Sequence, residues 1–283
     1  MRGSTIMSPA LAIRGITLAV LCALAKPLAA AELDVASYIT IVQGNIPVIL
    51  SAPHGGDKLF PGIPKREDRG QQYFEVVRDQ RTAELTQLLA AEIGKQLGGK
   101  PYVVIARFDR QHIDANRAPE DAYTPPGDGG PKRVYHAYHT ALADAGGEIA
   151  RRWGRGILLD IHGQARFPDQ IIRGTRNGQT VASLIKRSGE DAITGPRSIF
   201  GALAARGYRV APKGTPDDRI ERYFAGGHIV DIHGSADGGH IDAIQVEIGS
   251  RLRTPERLEK TARDLAGAIA VFAKAYLPPV KKK

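Results

Sequence analysis

Four short apolar runs, at 46–50, 102–106, 157–161 and 243–248, are separated in this chain by stretches of helical period. Runs in which both neighbours along the chain are apolar belong to strands buried on two faces, the condition of a parallel sheet covered by helices. Between the first two runs, Leu85, Leu88, Leu89, Ile93 and Leu97 recur at spacings of three and four and predict one buried helix face. A final helix is predicted from Pro255, with Thr254 as its cap and Leu258, Ala262, Leu265, Ile269, Phe272 and Tyr276 along one side. The expected architecture is α/β: a mixed, largely parallel sheet sandwiched by helices in a single domain.

The N-terminus has the layout of a secretory signal, with Arg2 and Arg14 ahead of an apolar run at 16–25 and the small residues Ala29, Ala30 and Ala31 behind it. A membrane anchor needs about 20 apolar residues, and Lys26 and Pro27 end this run too soon. Cleavage after Ala31 is expected, leaving 32–283 as the exported domain, periplasmic or secreted and free of the membrane. The only cysteine, Cys22, lies in the removed segment and follows Leu21 where a lipoprotein signal places a small residue. The mature domain then has neither disulfides nor thiolate ligands, and a packed core must hold it together.

The formal charge of +9 includes Arg2, Arg14 and Lys26 of the signal and the terminal Lys281, Lys282 and Lys283. Basic runs interleaved with base-stacking aromatics are not found, which argues against nucleic acid and for a small anionic substrate.

Polar residues gather at the carboxyl ends of the runs, where open α/β sheets bind ligands. His54 and Asp57 follow the first run in a glycine-containing turn, and His162 ends the third. Two imidazoles and a carboxylate with a fourth position open make a catalytic Zn2+ site. Asp79, Glu67 and Asp68 are the alternatives to Asp57 as third ligand. Glu247 is a charge inside an apolar strand, and burying it alone is costly, so water held by the metal is its expected partner and general base its expected role. Each residue also has a bland reading: His54 and Asp57 as turn residues that satisfy backbone, Glu247 as the partner of an arginine.

Proline 53 through Gly56, the stretch from Ile113 through Asp114, Ala115, Asn116, Arg117 and Ala118 to Pro119, the stretch from Gly226 to Gly234, and the strand ending in Glu247 together resemble the N-formylglutamate amidohydrolase family. The ordered match covers 46–253. The resemblance implies the zinc carboxypeptidase-like α/β fold, His54, His162 and Asp57 as zinc ligands, and Glu247 as general base. It also implies that Asn116 and Arg117 hold a substrate carboxylate, a task suited to a guanidinium fork. The arginine that polarises the scissile carbonyl has no aligned counterpart, and Arg107, Arg110 and Arg173 are candidates. His228, with His233 and His240, is expected in the pocket wall.

The function expected is zinc-dependent hydrolysis of an N-formyl, N-acyl, γ-glutamyl or peptide amide bond in a carboxylate-bearing substrate. Its rivals are an exported carboxypeptidase or peptidoglycan peptide hydrolase, and a periplasmic protein that binds anions without chemistry.

Overall fold

A computed structural model describes residues 1–4, 33–124, 129–213 and 221–279. The expected signal, apart from its first four residues, and the lysine tail lie outside the described residues.

Seven strands form one sheet in the order β1-β3-β2-β4-β7-β5-β6. They are β1 (Ile39–Val42), β2 (Val48–Ala52), β3 (Tyr102–Ala106), β4 (Gly156–Gln164), β5 (Gln170–Gly174), β6 (Arg209–Ala211) and β7 (Ile241–Gly249). The four apolar runs become the four central strands β3, β2, β4 and β7, all parallel to one another. Strand β1 is antiparallel on one flank and β5 antiparallel on the other, so the sheet is mixed at its margins only. β4 and β7 run further than their apolar cores suggest, each to nine residues, because polar side chains on their last turns are buried by partners rather than exposed.

The helices are α1 (Thr82–Leu97), α2 (Pro119–Ala122), α3 (Gly130–Trp153), α4 (Ala182–Ser188), α5 (Asp191–Thr194), α6 (Ile199–Ala204), α7 (His228–His233) and α8 (Pro255–Tyr276). Leu85, Leu89 and Ile93 of α1 pack with Ala262, Leu265, Ile269 and Phe272 of α8 against Val48, Leu50, Leu159, Ile244, Val246 and Ile248 of the sheet. α3 and α7 cover the opposite face. Thr254 does stand at the cap position of α8 in extended backbone, but its side chain caps no backbone N–H.

Successive strand residues point to opposite faces, and this period sorts the polar residues. Ser51 is in register with Asp160, and His162 with Glu247, so Ser51, Asp160, His162, Gln245 and Glu247 share the α3 face while their apolar neighbours fill the α1–α8 core. Asp34–Lys283 form one compact unit, as expected of a single domain.

Candidate metal centre

His54 lies two residues beyond the carboxyl end of β2, in a turn whose Gly56 is pressed so closely on the next segment that a Cβ there would meet the Phe108 carbonyl at 2.4 Å. The His54 carbonyl accepts the Asp79 N–H at 2.9 Å, which ties the loop before α1 to this turn. Asp79 Oδ2 then stands 3.4 Å from His54 Nδ1 and 3.3 Å from His162 Nδ1, and it accepts the Gly163 N–H at 3.0 Å. The two imidazole rings meet edge-on with centroids 4.8 Å apart.

The other nitrogen of each ring is held by a buried carboxylate. His54 Nε2 donates to Asp114 Oδ1 at 2.6 Å, and His162 Nε2 donates to Asp160 Oδ2 at 2.8 Å. With protons kept on Nε2, both rings can offer Nδ1 lone pairs to a cation beside the Asp79 carboxylate. His54 Nδ1 is buried and has no hydrogen-bond partner. Three electron-pair donors facing one another, each within 4.8 Å of the others, are suited to a shared cation, and carboxylate–histidine–metal arrangements fix ligand tautomers in this way. His54, Asp79 and His162 are therefore the residues that could hold a metal ion.

Electrostatics favour positive charge at this point. Burial opposes ionisation of Asp79, yet the adjoining imidazoles of His162 and His54 hold its carboxyl well below the usual range. Burial likewise opposes charge on His162, but Asp160 beside it pushes the imidazole well above its ordinary value. A cation bound among these three groups would take the place of that proton.

The carboxylate ligand expected at Asp57 is corrected to Asp79 as the acid that joins the two histidines. The chain is extended from Gly56 to Lys58, bridged to Phe108 and Asp109, so the Asp57 side chain turns outward. It is 77% exposed and pairs with Arg78 at 2.6 Å. Glu67 and Asp68 are exposed. Asp79 was open as an alternative, but nothing in its local pattern says that its loop folds back onto the His54 carbonyl.

Glu247 is buried one strand across from His162. Burial pushes its carboxyl up to about 7, the His162 charge opposes this, and Asp79 adds to it. Gln245 donates to Glu247 Oε1 at 3.0 Å, and Asn116 donates to Gln245 Oε1 at 3.2 Å. Asn116 also accepts the Ile229 N–H of α7, which brings that helix against the centre. His228, at the start of α7, is half-buried with its ring 5.6 Å from that of His139.

The candidate arginines fall in different places. Arg110 donates through Nε to Asp114 Oδ2 at 3.0 Å and lies 3.6 Å from Asp79 Oδ1, so it braces the carboxylates around the histidines. Arg117 donates both ends of its fork to the carbonyls of Asn116 and Tyr73. Arg107 is exposed. Arg173 is in register with Val246, on the sheet face opposite Glu247, and its guanidinium is bound by Glu221 at 2.9 Å and the Ile193 carbonyl at 2.8 Å. Strand alternation thus removes Arg173 from the centre. Sequence reasoning gave no role in the centre to Asp114, Asp160 or Gln245; Asp160, a charge in an apolar strand like Glu247, carried a legible signal.

No family model and no curated protein matches the chain. Among solved structures, its fold is that of an N-formylglutamate amidohydrolase from Ralstonia eutropha JMP134, with a TM-score of 0.55 and 18% identity over 85% of this chain and 98% of that one. A gene product of Agrobacterium tumefaciens aligns with a TM-score of 0.52 and 18% identity, over 85% of this chain and 94% of that one.

Proposed function

We propose that this protein is a zinc-dependent hydrolase of an amide bond in a small carboxylate-bearing substrate. The observation that carries the reading is the convergence of His54 Nδ1, His162 Nδ1 and Asp79 Oδ2, with Glu247 buried on the adjoining strand. The shared fold with an N-formylglutamate amidohydrolase is consistent with it.

Zinc held by two imidazoles and a carboxylate supplies Lewis-acid chemistry, polarising a carbonyl and making water acidic. His54 and His162 bring their lone pairs to it already oriented, because Asp114 and Asp160 fix both tautomers. Glu247 is the base. A carboxyl raised to about 7 by burial takes a proton from the attacking water near neutral pH and returns it to the departing nitrogen. The Asn116, Gln245 and Glu247 chain holds the carboxylate in place while the proton moves.

The test is elemental analysis of the purified protein, followed by a screen of N-formyl, N-acetyl and γ-glutamyl amino acids and short peptides with and without chelator. Chelator-sensitive hydrolysis with about one zinc per chain supports the proposal; ligand binding that persists without metal, and no turnover, would favour an anion-binding protein. We propose also that the chain is exported, on the strength of its first 31 residues. Fractionation of cells expressing the full chain, with the mature N-terminus sequenced, tests this.

A further inference from the structure

Ser51 carries a hydroxyl in a strand whose five residues are all buried, and it needs a side-chain partner that the backbone ladder of β2 does not supply. It lies in register with Asp160 of β4 and donates through Oγ to Asp160 Oδ1 at 2.7 Å. The Tyr138 hydroxyl reaches from α3 to 2.8 Å from Ser51 Oγ. Since the Ser51 proton is committed to Asp160, Tyr138 is the donor in that contact, with the Val104 carbonyl a longer second acceptor at 3.3 Å. Burial, with Asp160 adding to it, pushes the Tyr138 phenol well above its ordinary value, so it keeps the proton it donates.

Both oxygens of Asp160 are then engaged, Oδ1 by Ser51 and Oδ2 by His162 Nε2 at 2.8 Å. Elements α3, β2 and β4 thus contribute one directed line, Tyr138 to Ser51 to Asp160, that ends on His162. Tyr138, Ser51 and Asp160 are fully buried and His162 is 2% exposed, so bulk water is not at hand to replace a lost donor. The carboxylate behind His54 is supported differently. Asp114 accepts Arg110 Nε at 3.0 Å and the Asn116 N–H at 2.9 Å. An arginine brings charge as well as direction, whereas two hydroxyls bring direction alone and leave the Asp160 charge to the imidazole.

We propose that Ser51 and Tyr138 are positioning residues of the metal centre: acting through Asp160, they fix the His162 ring so that Nδ1 faces the cation shared with His54 and Asp79. Without the Ser51 donor, one Asp160 oxygen is left unsatisfied in the interior and the carboxylate is free to turn. The imidazole then loses the fixed acceptor that keeps its proton on Nε2. The inference rests on the metal-binding part of the proposed function and not on the reaction.

The experiment measures zinc affinity of the full chain by dye competition for the wild type, Ser51→Ala, Tyr138→Phe, Asp160→Asn, and each of the first two combined with Asp160→Asn. Tyr138→Phe removes a single oxygen and keeps its ring edge-on to Phe108, so it tests the line even where Ser51→Ala does not fold. Ser51→Ala should weaken zinc by about tenfold, the lower end of what a group behind a ligand histidine contributes, and Tyr138→Phe by less. Neither should weaken it further once Asp160 is Asn. In the zinc-loaded protein, the proton resonance of His162 Nε2–H should shift in both single variants while that of His54 Nε2–H stays in place; a merely structural role would move both or neither. Zinc held by both variants as tightly as by the wild type overturns the inference and leaves the metal centre standing. An equal loss with and without Asp160 overturns it as well, because the effect then runs by another route. A wild-type chain that binds no zinc removes the inference and the metal centre together. Zinc binding weakened as expected, with no amide cleaved, keeps the inference and ends the hydrolase reading.

Discussion

His54 Nε2 lies 2.6 Å from Asp114 Oδ1, and both groups are buried. That bond decides which nitrogen of His54 is left for a cation. Asp114 is held in turn by Arg110, and although burial opposes its charge, Arg110 and His54 keep it ionised well below the usual carboxylate range. Replacing Asp114 by Asn keeps the shape but lets the ring choose its tautomer and removes the charge that makes His54 a better donor. Zinc affinity should fall by about 10- to 100-fold, the usual effect of losing a carboxylate behind a ligand histidine. Competition with a zinc-binding dye measures it; affinity equal to wild type would mean that Asp114 is only structural.

Asp79 and Asp57 make a matched pair for testing the ligand set. Asp79 faces both Nδ1 atoms, while Asp57 points to solvent against Arg78. Asp79→Ala should abolish stoichiometric zinc binding and all hydrolysis. Asp57→Ala removes an exposed ion pair worth about 0–1 kcal/mol, so zinc content, activity and Tm should stay near wild type. Zinc retained by Asp79→Ala but lost from Asp57→Ala would reverse the assignment.

The difference between these two aspartates also marks what the chain discloses by itself. The four central strands, the α1 and α8 faces, and the strand-end positions of His54 and His162 follow from local periodicity, which needs only near neighbours. Glu247 and Asp160 are legible for a different reason: a charge inside an apolar strand must have a partner. Asp79 is set by a loop of some twenty residues whose path is fixed by bonds to distant segments, among them the Asp79 N–H to the His54 carbonyl and the Gly163 N–H to Asp79 Oδ2, and no pattern within the loop encodes them. Arg173 fails for a related reason. Its face of the sheet depends on the register of β5 against β7, and a shift of one residue would have turned it toward Glu247.

Glu247→Gln is the sharpest test of the proposed chemistry. Gln fits the same space beside Gln245 and Ile172, so metal content should not change. Loss of the proton acceptor should lower kcat by about 10²- to 10⁴-fold. In the wild type, the rate should fall on the acid side as Glu247 takes up a proton. Burial places that fall near pH 7 without a cation, and a bound cation moves it to lower pH by favouring the carboxylate. An acid limb unchanged in Glu247→Gln would assign the base elsewhere.

Stability should fall in acid for a reason that lies apart from the ligands. His139 Nδ1 and His233 Nε2 are 3.1 Å apart with their rings stacked, between α3 and α7. Since His139 Nε2 donates to the Ala115 carbonyl at 3.0 Å, its Nδ1 accepts from His233, and the pair is neutral. Burial lowers His139 to about 3, helped by the nearby His233 and His228, and lowers His233 to about 4, with Asp160 opposing the shift. Both values lie below the unfolded value near 6.5, so the unfolded chain binds protons first. The stability these rings contribute is complete above about pH 6.5 and is lost as pH falls through about 4 and then about 3. Tm measured by calorimetry should drop between pH 7 and 4.5, and His233→Gln, which retains a side-chain amide donor toward His139, should make that drop smaller. Parallel Tm curves for the two proteins across this range would show that the pair does not titrate with unfolding.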